Sequence, residues 1–179
     1  MMNKRGFTLL EILVSVGILS TIAIVVAQSF FTVLRSNTKT EILKDVKQSG
    51  ETAMLTMARM IQNAQEVTSI CAPEGTTLES IDIVNPDGGT TSFGCFLDGT
   101  TTRIASTSGS TDFLTDNRVT IGGDACSASS LVFVCTSTAG LPARVSVSFS
   151  LAQSGVSAQE FESASETYTA TVSIRNDRP

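Results

Sequence analysis

The run Lys4-Arg5-Gly6-Phe7-Thr8-Leu9-Leu10-Glu11-Ile12-Leu13-Val14-Ser15-Val16-Gly17-Ile18-Leu19-Ser20-Thr21-Ile22-Ala23-Ile24-Val25-Val26 sets two basic residues before a long apolar segment. From Phe7 to Val26 there are thirteen Leu, Ile, Val or Phe residues, and Glu11 is the one ionisable group. At helical rise such a segment spans roughly 30 Å, enough to cross the hydrocarbon of a bilayer. Its apolar residues favour insertion by about 4 to 8 kcal/mol, against a penalty of up to about 3 kcal/mol for the carboxylate. Insertion wins. Lys4 and Arg5 predict a cytoplasmic amino-terminal side and an exported remainder.

An ordinary secretory signal peptide is the alternative for this segment. It shares the basic start, and Val25-Val26-Ala27 would serve as a small-residue cleavage site. The apolar region is longer than the seven to fifteen residues such signals use, however, and it carries an acid near its start. An ionisable residue within a membrane span points to function.

Lys4-Arg5-Gly6-Phe7-Thr8-Leu9-Leu10-Glu11, followed by an apolar helix, resembles the processing signal of type IV prepilins and type II secretion pseudopilins. The resemblance implies a pilin fold, cleavage by a membrane-embedded prepilin peptidase between Gly6 and Phe7, and methylation of the new amino terminus. It makes Glu11 the fifth residue of the mature chain and an assembly residue. In a filament built on such helices its carboxylate would pair with the Phe7 amine of another subunit or its own, because a lone buried charge is costly. The implied partners are the prepilin peptidase, an inner-membrane assembly platform, other pilin or pseudopilin subunits and the membrane itself. Many major pilins carry a helix-breaking proline in the apolar span, whereas here Gln28 lies near that place.

No proline precedes Pro73, and Leu34, Ile42, Leu43, Val46, Ala53, Met54, Met57, Ile61 and Ala64 recur mostly at threes and fours. One helix is therefore expected over residues 7 to about 66, with Gly17 and Gly50 as its weak points. The expected organisation is a leader over residues 1–6, a transmembrane or filament-core helix over 7–31, an amphipathic continuation over 32–66 and an exported head over 67–179.

Beyond Thr68 the pattern shortens to alternating runs. Residues 81–84, 118–121, 131–134, 145–149 and 168–174 read as strands, separated by Asn85-Pro86-Asp87-Gly88-Gly89, Asp98-Gly99 and Gly122-Gly123-Asp124. Val145, Val147 and Phe149 fall on one face and Ser146 and Ser148 on the other, so one side of an antiparallel sheet is dry and the helix stripe is its cover. The fold class is α+β. Residues 100–116, rich in Ser, Thr and Gly, are expected to form a mobile surface loop.

Composition narrows the chemistry. The absence of histidine removes His-based triads and zinc sites. Acidic residues outnumber basic ones by 17 to 12, and the arginines after Ile61 (Arg103, Arg118, Arg144, Arg175 and Arg178) are scattered, so no nucleic-acid partner is expected. Cys71, Cys95, Cys126 and Cys135 lack C-x-x-C spacing. In an exported domain they predict two disulfides out of three possible pairings, with buried thiols as the alternative. The shorter loops favour Cys71–Cys95 with Cys126–Cys135. Asp112, Asp116 and Asp124 are calcium candidates without EF-hand spacing, and no cofactor or metal is expected. The head's 35 Ser and Thr residues are assigned to solvent-facing strand positions, since no N-x-[ST] sequon occurs.

Thr171-Val172-Ser173-Ile174-Arg175-Asn176 resembles the closing strand of minor subunits of the J or W kind, and residues 57–64 fit the same group loosely. Those subunits are thought to initiate a filament or sit at its tip. The first reading is a structural subunit, a minor pilin. A pseudopilin of a type II secretion system comes second, and a secreted disulfide-bonded binding module cut after Ala27 third. A membrane-tethered hydrolase ranks last: Ser36 and Lys39 match Ser-x-x-Lys on the predicted helix, with no pocket around them. No catalytic residue is assigned.

Overall fold

The computed structural model describes residues 8–155 and 164–175. With no proline to interrupt it, helix α1 runs unbroken over Leu9–Asn63, roughly 82 Å long. Its two halves bury different amounts. The large apolar side chains from Leu9 to Leu34 are 46 to 83% exposed, so none of the described residues covers them. From Val46 onward one face is buried: Val46, Ser49, Gly50, Ala53, Met57 and Ile61, spaced by threes and fours. Met54 and Met60 pack half-buried beside it. The helix ends at Asn63 rather than near residue 66. Ala64 is extended, and the chain peels into a sheet through the Gln65 amide, which donates to the Val84 carbonyl.

Among the described residues ten strands follow in chain order: β1 Glu66–Val67, β2 Thr76–Leu78, β3 Ile81–Val84, β4 Thr90–Asp98, β5 Thr101–Ser108, β6 Ser110–Phe113, β7 Val119–Thr120, β8 Val132–Thr136, β9 Arg144–Gln153 and β10 Ser165–Ser173. A 3-10 turn, η1, occupies Cys126–Ala128. The strands form two antiparallel sheets. One has the order β1-β3-β4-β5-β6; the other has the order β10-β9-β8-β2, with β7 also paired to β9. The α+β class and the alternation on β9 hold: Val145, Val147, Phe149 and Leu151 are buried in turn. Together with Met57, Ile61, Phe93 and Phe133 they belong to one core.

The helix docks on β9 and β10 through a glycine. Tyr168 of β10 stacks on Phe149 of β9 at 5.2 Å and donates its hydroxyl to the Val46 carbonyl at 3.2 Å. A Cβ on Gly50 would come within 2.2 Å of the Tyr168 ring. Gly50 is therefore the place where the tyrosine reaches the helix backbone, and no weak point. Burial, with help from Glu166 and Glu51, pushes the Tyr168 phenol above its usual range and keeps it a donor.

The head departs from expectation in two further places. Residues 100–116 are not a surface loop: most of them form β5 and β6, a hairpin turned by Gly109 at φ +82°, which L side chains resist. Thr102, Arg103, Ile104 and Ala105 are buried there. Threonine is β-branched and suits a strand, and the charge of Arg103 is satisfied inside. Its guanidinium donates to the Thr115 carbonyl, pairs with Asp98 at 2.6 Å and lies 4.0 Å from the Phe113 ring centre.

The disulfides are Cys71–Cys135 and Cys95–Cys126, with Cα separations of 5.0 and 5.4 Å. The expected pairing of sequence neighbours fails because sheet order decides which cysteines meet. Ala72 bridges to Thr136, and Thr76 of β2 lies opposite Cys135 of β8. Cys95 of β4 instead meets η1, which carries Cys126.

Replacing Gly50 with alanine should raise local helix propensity by about 1 kcal/mol yet lower the stability of the head by about 1 to 3 kcal/mol through overpacking against Tyr168. Denaturant titration of the detergent-solubilised chain measures the net sign. A raised midpoint would show that the ring does not press on the helix.

Candidate functional site

The start of α1 is the first candidate. Thr8 caps the helix: its hydroxyl accepts from the Glu11 amide at 3.3 Å, and its carbonyl accepts from the Ile12 amide. Thr8-Leu9-Leu10-Glu11 thus has capping-box spacing and puts a carboxylate in the first turn, where the helix dipole favours a negative charge. The polar residues that follow are internally satisfied. Ser15 donates to the Glu11 carbonyl at 2.6 Å, Ser20 to Val16, Thr21 to Ile18, Ser29 to Val25 and Thr32 to Gln28. With its hydroxyls returned to the backbone, the segment presents a largely apolar surface all round. Glu11 stands out against it, for no group among the described residues pairs with its carboxylate. Gly6 and Phe7, the expected processing residues, lie outside the described residues. Ser36 and Lys39 sit on α1, and the Ser36 carbonyl accepts from the Thr40 hydroxyl.

The second candidate is a groove between α1 and the segment that leaves β6. Asp45, Gln48, Ser49, Arg103, Thr115, Asp116 and Arg118 line it. The Asp116 amide donates to the Ser49 hydroxyl at 3.0 Å, and Arg118 bridges Asp45 at 2.8 Å and Asp116 at 3.2 Å. The backbone amide of Arg118 holds the Asp116 carboxyl below its usual range against a smaller opposing effect of burial, and the Arg118 side chain adds to the lowering. These charges fasten a loop to the helix. Asp116, a calcium candidate, thus already faces a cation, and among the described residues no three carboxylates or cysteines gather as metal ligands. Apart from Asp116, nothing in the sequence marked these residues as a groove: Arg118 and Asp45 are 73 positions apart, and only the fold joins them.

Residues 1–27 match the family model of the prokaryotic N-terminal methylation motif, the prepilin-type signal of type IV pilins and pseudopilins. The match spans the basic start, Gly6, Phe7, Glu11 and the exposed apolar part of α1 as far as Ala27. No curated protein and no solved structure matches the chain.

The groove's ion pairs make a pH prediction. Because the folded-state pKa of Asp116 is depressed, its contribution is present above the unfolded value of about 3.9 and disappears as pH falls through the folded value. Arg118→Ala keeps the backbone amide but removes the side chain's pairing with Asp45 and Asp116. It should cost up to about 1 kcal/mol at pH 7 and low salt, a small amount because Arg118 is largely exposed. The deficit should shrink towards pH 3. Denaturant midpoints of both proteins at the two pH values check this.

Proposed function

We propose that the chain is a structural subunit, a minor pilin, of a type IV pilus-like filament, and not an enzyme. The observation that carries this reading is the coincidence of the methylation motif with a helix whose first half, among the described residues, is exposed throughout. A helix apolar enough to cross a membrane, led by a prepilin-type signal, fits an inner-membrane-anchored pilin or pseudopilin. In our reading prepilin peptidase removes residues 1–6 and Phe7 is methylated. Residues 7–31 then rest in the inner membrane until they move into the filament core, while residues 32–66 carry the head over 67–179. Partners are the assembly platform and other pilin subunits. Assignment to the minor, J- or W-like kind rests on the resemblance of residues 171–176 to the closing strand of such subunits, and loosely on that of residues 57–64.

Glu11 sets register in this scheme. Cleavage after Gly6 creates a cationic amine on Phe7, four residues before the carboxylate. In a filament core of low dielectric, an unpaired carboxylate costs about 3 to 5 kcal/mol, so subunits that offer it an amine are selected. The scheme assigns no catalytic residue, cofactor or nucleic-acid contact.

Glu11→Ala, produced in cells that hold the cognate assembly machinery, should be processed normally but enter sheared filaments at least about tenfold less, equivalent to about 1.4 kcal/mol. Quantitative mass spectrometry of filament and membrane fractions reads both steps. Undiminished incorporation would contradict the register role.

A further inference from the structure

The two disulfides are nested: Cys95–Cys126 lies within the span of Cys71–Cys135. We infer that the head reaches this pairing through a thiol–disulfide isomerase, because both the order of export and loop statistics favour the wrong bonds. The inference rests on the reading of α1 as an anchor with an exported carboxy-terminal head.

A chain held by α1 delivers its head from residue 64 onward, so Cys71 and Cys95 reach the oxidising side before Cys126 and Cys135. No native partner for Cys71 is then available. Cys135 meets it only after β8 has paired with β2, and β8 itself is flanked by β9, which is exported later still. The native bonds close spans of 64 and 31 residues. The neighbour pairing closes spans of about 24 and 9 residues, and in an unfolded chain the loop-length dependence favours it by on the order of tenfold or more. Once formed, a Cys126–Cys135 bond ties β8 to η1 instead of to the segment before β2, so correct folding must break it.

The chemistry balances. In each oxidation two thiols lose two electrons and two protons to the disulfide of an envelope oxidoreductase, which becomes a dithiol. Rearrangement then needs no further oxidant. An isomerase thiolate attacks the Cys71 sulfur of Cys71–Cys95 and releases the Cys95 thiolate. That thiolate attacks Cys126 and releases Cys135, whose thiolate attacks Cys71 in the mixed disulfide and frees the isomerase. Two protein disulfides enter and two leave. Cys135 ends fully buried, which protects the outer bond from further exchange.

The test expresses the full-length chain, anchor included, in bacteria with and without their envelope disulfide isomerase. Free thiols are trapped by alkylation, and disulfide-linked peptides are mapped without reduction. Loss of the isomerase should cut the Cys71–Cys135 peptide several-fold and raise Cys71–Cys95. A Cys71→Ser, Cys135→Ser double variant, which has a single possible pair, should form Cys95–Cys126 equally in both strains. Native pairing at unchanged yield without the isomerase would overturn the inference while leaving export intact. Four alkylated thiols in both strains would overturn export itself, and the inference with it.

Discussion

Burial of a single helix face against β9 and β10 is the contact on which the rest of the molecule depends. Val46, Gly50, Ala53, Met57 and Ile61 supply the face, and Tyr168 locks it by filling the space that the missing Cβ of Gly50 leaves open. The contact is specific in register. A slide of one residue along the helix would set a side chain against the ring, and would take the tyrosine hydroxyl from the Val46 carbonyl. The sheets inherit their placement from it. β10 lies on the helix, β9 beside it, and β8 and β2 follow outward; the second sheet begins where the helix ends, as β1.

The same helix lives in two solvents. Its second half is one-sided, as expected of an element covering a sheet in water. The first half is apolar all round, with hydroxyls turned back onto carbonyls, as expected where no water is at hand. Neither half suits the other's surroundings. A head folded by its own core and a helix left bare together describe a module made to be held by something else. Lipid or neighbouring apolar helices would each suit the bare part.

The helix was legible because its signals are local: no proline, a continuous apolar run, then a stripe at threes and fours. The strands at residues 81–84 and 145–149 were legible for the same reason, as alternation shows itself within five residues. What escaped was what depends on partners distant in the chain. Residues 100–116 read as a loop because they are rich in Ser, Thr and Gly, whereas the Asp98 and Thr115 partners that let Arg103 be buried in β5 show only in the fold. Gly50 reads as a helix weakness until Tyr168, 118 positions later, explains it. The disulfides were misassigned because spacing reports loop entropy, whereas β2–β8 pairing sets which sulfurs meet. At the candidate site the position of Glu11 was plain in the sequence; its cap by Thr8 needed the helix start to be seen.

The central claim is that the bare helix is kept in the mature protein and used for assembly. The amino-terminal mass of the chain recovered from membranes of cells containing a prepilin peptidase tests this most directly. The account predicts a chain beginning at Phe7 and carrying one added methyl group. A chain beginning at Gln28 would mean that the apolar segment is discarded as a secretory signal, and would contradict it.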